Sequence, residues 1–176
     1  TISSDAAPPP FGKPSFIADA STLAFEMVSG QRRIFTSCGP GYLFGSDFSS
    51  VSRQTSSHCT VYLEGHNSSH FSEEKVRFQA SKNFITTAPL KVPHEISTDE
   101  GKEIFEGAHD GYVKSHGLTH VRKLKLAQSG QTFEGEDLLI AIDDVHKRQF
   151  DKSVKSKISG QFLAKAAFHF HPNVAC

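Results

Sequence analysis

Helical periodicity is nearly absent from this chain and turn signals recur at short spacing, which leaves stacked antiparallel sheets as the architecture it can build. Residues 23–28 (Leu-Ala-Phe-Glu-Met-Val) read as a strand closed by Ser29-Gly30, and 33–36 (Arg-Ile-Phe-Thr) follow at hairpin distance. In 59–64, Val61 and Leu63 share one face while Thr60, Tyr62 and Glu64 share the other, the period-two pattern of a strand. Residues 75–80 (KVRFQA) and 121–126 (VRKLKL) alternate as well. The latter pairs across Ser129-Gly130 with 132–137, and 138–142 continue as strand. Residues 162–170 read as a last strand, with His169 and His171 on the same face. Residues 45–57 read as a serine-rich loop, and only the charged stretch 143–158 admits a short helix or a long loop. The expected fold class is therefore all-β, an antiparallel β-sandwich with few or no helices. Fifteen Phe and no Trp suit a core filled by phenylalanine.

A length of 176 residues is enough for one domain with a real core. Residues 1–14, with Pro8-Pro9-Pro10 and Pro14, form an extended lead-in, and 15–176 are expected to make a single β-sandwich. Nineteen Lys plus Arg balance nineteen Asp plus Glu, which argues against a nucleic-acid partner. No apolar run reaches the length of a membrane span. The first residues show no basic segment followed by an apolar one, as a signal peptide would. Cys38, Cys59 and Cys176 are an odd number without metal-ligand spacing. A Cys38–Cys59 bridge and free buried thiols are the two readings, the thiols being the simpler.

The segment RQTSSHCTVYLEG, 53–65, places Arg53 and His58 five residues apart among hydroxyls at a strand entrance. A histidine there suits a ligand, a proton carrier or the anchor of a polar network. Tyr42, in a glycine-rich loop upstream, is placed like an active-site loop residue. His109-Asp110-Gly111-Tyr112 invites a functional reading, but Asp-Gly supplies a turn and the turn is favoured. His120 and Arg122 share a face with Leu124 and Leu126, as a polar end on a buried stripe would. Asn67-Ser68-Ser69 matches a glycosylation sequon.

Four segments carry a resemblance. They are Ala18-Asp19-Ala20-Ser21-Thr22-Leu23-Ala24-Phe25-Glu26 with Cys38-Gly39 after the turn; Arg53-Gln54-Thr55-Ser56-Ser57-His58-Cys59-Thr60; His109-Asp110-Gly111-Tyr112 leading to Leu118-Thr119-His120-Val121-Arg122-Lys123 and Gly135-Glu136-Asp137; and Phe168-His169-Phe170-His171-Pro172. In this order, over 18–172, they resemble the C-terminal β-sheet domain of heparinase II/III-like polysaccharide lyases; the second is similar to the family's R-x-T-x-A-H-[NS]-T segment.

The resemblance implies β-elimination on a uronate-containing, acidic polysaccharide. The sugar carboxylate is neutralised, a base removes the C5 proton and an acid protonates the leaving oxygen. It also implies a site shared with a helical toroid domain absent from this chain, and a periplasmic or cell-envelope location. His58 and Tyr42 become the catalytic candidates and Arg53 the substrate-binding one. The family's H-x-H-x-D pattern falls on Ile17, Asp19 and Ser21, so Ile17 replaces the sheet domain's catalytic histidine. The ligands of the family's structural zinc fall on Asp19, near Ser37 and on His58. A zinc held by Asp19, His58 and Cys38 is one expectation. No cofactor at all, with His58 fastening a loop by hydrogen bonds, is the plainer one. The expected function is the sheet domain of such a lyase, inactive without its helical domain; a non-catalytic glycan-binding or scaffold module is the alternative.

Overall fold

A computed structural model describes residues 1–72 and 84–174. The strand expected at 75–80 and Cys176 lie outside the described residues. The chain is all-β in class, with its strands in four antiparallel sheets and only short helices between them. It divides into two compact units, Thr1–Pro89 with Ala164–Cys176, and Leu90–Leu163.

In the first unit, β1 (Ile2–Ser4), β2 (Phe25–Ser29) and β3 (Arg32–Phe35) form a three-stranded sheet with β2 in the middle. The proline-rich lead-in is thus partly strand: Ile2 pairs with Met27 and Ser4 with Phe25. A helix, α1 (Ser46–Ser52), follows, then β4 (Val61–Leu63), β5 (His70–Phe71) and β6 (Ile85–Thr87). β4 pairs with the C-terminal Ala164–Ala166, and β5 with β6. The last strand is shorter than expected because β4 offers three residues to pair with; beyond it only a bridge from Phe35 to Phe170 remains. The core gathers Leu23, Phe25, Cys59, Val61, Leu63 and Ile85. Phe25 packs edge-on against Phe35 and Phe168, with ring centroids 5.5 and 6.1 Å away. Phenylalanine therefore supplies a cluster around one buried ring, while Phe168 and Phe170 remain about half exposed.

The serine-rich stretch expected as a loop instead holds α1 and a 3-10 turn, Thr55–Ser57. Its hydroxyls bond back to local carbonyls: Ser52 Oγ donates to Ser49 O, and Ser57 Oγ to Val51 O, 2.7 Å away. Asp47 in the first turn of α1 complements the helix dipole. Cys38 and Cys59 form no disulfide; Cys38 is exposed, while Cys59 is a buried thiol as expected. Asn67 is no open sequon: its Oδ1 accepts from the Thr55 amide, and Ser68 and Ser69 are buried.

The second unit is a four-stranded meander. β7 (His94–Asp99), β8 (Lys102–Tyr112), β9 (Leu118–Ala127) and β10 (Phe133–Ile140) pair in sequence order. Glu100 and Gly101, with φ of 45° and 74°, close the first hairpin as a primed turn requires. α2 (Val113–His116) joins β8 to β9, and α3 (Asp144–Lys155) occupies the charged stretch. Asp143 caps α3 by accepting from the His146 amide at 2.8 Å. β9 buries Leu118, His120, Arg122 and Leu124 and turns the intervening residues outward. On the outward face Lys123 pairs with Glu106 across the strands.

Candidate functional site

A pocket of about 430 Å³ opens in the first unit beside β2. Its walls come from the ends of β1 and β2, the loop carrying Phe16 to Ser21, the turn at Gly39–Gly41, and the strand entrance at His58. Arg53 builds one wall. Its Nε donates to Ala18 O and its Nη2 to Ser15 O, each at 2.7 Å, and its guanidinium lies 4.6 Å from the centroid of Phe71. The Ala20 amide returns a bond to Arg53 O at 2.9 Å, so the loop is tied to the end of α1 at three points. Glu26 holds the far side: Oε1 accepts from the Ser37 amide at 2.9 Å. Asp5 accepts from the Ser21 hydroxyl at 2.5 Å.

Electrostatics divide the titratable groups of this pocket. Burial raises Asp19 to about 6, against the opposing pull of Arg53. Asp19 makes no side-chain hydrogen bond among the described residues. His58 is only 2% exposed, and burial, with His169 adding to it, lowers its pKa to about 4. Among the described residues neither ring nitrogen has a hydrogen-bond partner, though the Ser52 backbone acts to favour the proton. An imidazole this deep with both nitrogens unpartnered is costly, and such groups mark places where structure answers to something other than stability.

Asp19, His58 and Arg53 are thus brought to one pocket. Ile17 stands at the rim, 58% exposed. Tyr42 belongs to the 3-10 turn Gly41–Phe44, whose first residue lines the pocket. Cys38 does not line it; its backbone amide bonds Ser57 O at 3.1 Å while its thiol faces solvent. Among the described residues no three His, Cys, Asp or Glu side chains converge as metal ligands do. With Ser37 in one ligand position and the Cys38 thiol exposed, the residues present do not fit a structural zinc. Among the described residues no side-chain hydrogen bond from the His58 ring ties a loop, whereas His169 Nε2 lies 2.9 Å from Ser56 O. Asp5 and Glu26 were missed by sequence reasoning. The alternation of 25–28 marks Glu26 as facing away from Phe25, but Asp5 arrives only through the pairing of β1 with β2.

A second polar cluster lies within the second unit. His109, expected at the head of a turn, sits in β8, which runs on to Tyr112 through a bulge. It is buried against His120, and His120 in turn meets Asp137, which also accepts two hydrogen bonds from Arg122. The stripe of His120 and Arg122 with Leu124 reads as the sequence places it. Its two polar members both reach Asp137 within the sheet.

A family model described as heparinase II/III-like, C-terminal, matches residues 1–176, the whole chain. The chain belongs to the heparinase II/III-like family. This heparinase II/III-like domain is also similar to a curated protein, "FtsZ-localized protein C" of Caulobacter vibrioides (strain NA1000 / CB15N). The two are 30% identical over 146 residues, which is 81% of this chain and 24% of that protein. The domain therefore spans about a quarter of the relative it matches. No solved structure matches it.

Proposed function

We propose that this heparinase II/III-like domain is the sheet-domain part of a larger protein acting on an acidic polysaccharide, and that it holds sugar without supplying the proton carrier. The observation behind this is Ile17: an aliphatic side chain, 58% exposed, lines the pocket at the position where the resemblance implies a catalytic histidine. His58 is a poor substitute, because burial lowers its affinity for a proton. A base and an acid would have to come from the helical domain that the resemblance implies, converging with this half only in the assembled protein. The substrate, an acidic polysaccharide, carries with it a periplasmic or cell-envelope location.

The test is an assay for unsaturated uronate products on polyuronates, with the isolated domain and with the full-length protein side by side. The reading expects product from the full-length protein alone. Product from the isolated domain would overturn it.

A second reading follows from the relative, whose name associates it with FtsZ. There the domain is a non-catalytic binding or scaffold module of a protein localised with FtsZ. Co-localisation of a fluorescent full-length fusion with FtsZ, together with no lyase product, would favour this reading; a fusion spread evenly through the cell would remove it.

A further inference from the structure

Three carboxylates and one unpartnered imidazole share the pocket of the first unit, and the donor set that zinc would need is not among them. We infer that the pocket takes an organic cation in place of the metal: a primary ammonium flanked by hydroxyl groups, as on an amino sugar whose amine is free. The sugar as carrier rests on the polysaccharide reading above; the ammonium rests on the pocket alone.

Charge is the first argument. Asp5, Asp19 and Glu26 line the pocket against a single cation, Arg53. That guanidinium is 7% exposed, with Nε and Nη2 on the carbonyls of Ala18 and Ser15 and its face on Phe71. A uronate carboxylate entering here would meet an excess of like charge, with the one cation already holding the wall together. An ammonium would meet the reverse.

Hydrogen bonding is the second. Asp5 uses Oδ2 for the Ser21 hydroxyl and Glu26 uses Oε1 for the Ser37 amide. The other oxygen of each, and both oxygens of Asp19, accept nothing among the described residues. An ammonium carries three donors in one small group, and here three carboxylates have room to accept. Neutral His58 has one donor and one acceptor to offer, and a sugar hydroxyl satisfies both kinds. The volume lies within the range of small-molecule pockets.

Calorimetric titration of the full-length protein at neutral pH tests this, using glucosamine, glucose, N-acetylglucosamine, glucuronate and zinc chloride as separate probes. The His58 ring signals are followed by NMR in the same samples. Glucosamine is expected to bind and to move the His58 signals, with glucose and N-acetylglucosamine weaker by about tenfold or more, the scale of a lost charge-assisted hydrogen bond. Glu26→Gln and Asp5→Asn should each weaken glucosamine by about tenfold, with melting curves showing that both remain folded. The unmodified protein keeps the test decisive if either variant unfolds. Equal binding of glucose and glucosamine, movement of His58 by glucuronate, or one zinc bound at His58 would each overturn the inference. A polyuronate bound or cut while glucosamine leaves His58 unmoved sinks this inference and spares the polysaccharide reading. Glucosamine bound while polyuronates are ignored does the opposite.

Discussion

His120 stands 2.8 Å from Asp137, its Nε2 on Oδ1, inside the four-stranded sheet. On its other side Nδ1 lies 3.1 Å from Nε2 of His109, whose Nδ1 accepts from the Gly111 amide. One proton placement satisfies the whole row. Gly111 donates to His109, His109 donates through Nε2 to His120, and His120 donates through Nε2 to Asp137. Both imidazoles are then neutral, in agreement with the downward shift that burial imposes on each. Arg122 completes the row with Nε and Nη2 on the two oxygens of Asp137, at 2.7 and 2.9 Å. The strand register explains the assembly, since His109 faces His120 and Arg122 faces Asp137 as direct cross-strand pairs.

Removing the carboxylate should be costly in a way that removing the whole pair is not. Asp137→Ala strands a fully buried guanidinium and leaves His120 without its acceptor, a loss expected at about 3 kcal/mol or more. The double variant Asp137→Leu with Arg122→Met should be milder than the single change. Urea unfolding midpoints of the three proteins decide this, and a single change no worse than the double one would refute it.

Mild acid should weaken the fold through its buried histidines. His109 and His120 have folded pKa values below the ordinary value, and His58 is lowered to about 4. Each therefore takes a proton more readily when unfolded, so its contribution is fully present above about 6.5 and lost as pH falls toward the folded value. The thermal midpoint should drop between about pH 7.5 and pH 5. A flat or rising midpoint over that interval would contradict the neutral row.

Asp19 should act with the opposite sign. Its folded pKa is raised to about 6 from 3.8, so stability is lost as pH rises from the lower to the higher value. Asp19→Asn should therefore stabilise the protein at neutral pH by about 1 kcal/mol, a figure reduced for the carboxyl's partial access to water. Below about pH 4 the gain should vanish, because both states then carry a neutral side chain. Melting curves of the two proteins at both pH values check the sign and its disappearance.

Gly117 should tolerate no side chain. It closes α2 in the left-handed region at φ 68°, and a Cβ there would run into the backbone of α3 at His146 and Phe150. Gly117→Ala adds the strain of that conformation to a clash with main chain, a loss of about 2 kcal/mol. Gly130→Ala, whose φ is 70° with open space around it, should cost less. Denaturant midpoints of the two variants compare them directly.

The β9–β10 hairpin of the second unit was legible because its two strands alternate about Ser129-Gly130; β7 and β8 were not, since Asp110-Gly111 reads as a turn although it lies within β8. Helix α1 was not, since serine favours loops by composition, and here its hydroxyls turn inward onto helix carbonyls. His58 and Asp19 could be singled out from neighbouring hydroxyls and motif position. That the His58 nitrogens lack partners could not, because partners are a property of packing.

Local chemistry along the chain thus determined the class of fold, the strand alternation and the residues worth watching, since side-chain direction repeats every two residues wherever a strand forms. Tertiary structure alone decided that Asp5 and Glu26 face one pocket with Asp19 and His58. It also decided that His109, His120, Arg122 and Asp137 make one buried row. Both arrangements depend on strand register and on loops fastened across many residues, and burial, which sets the proton affinities, exists only once those strands have paired.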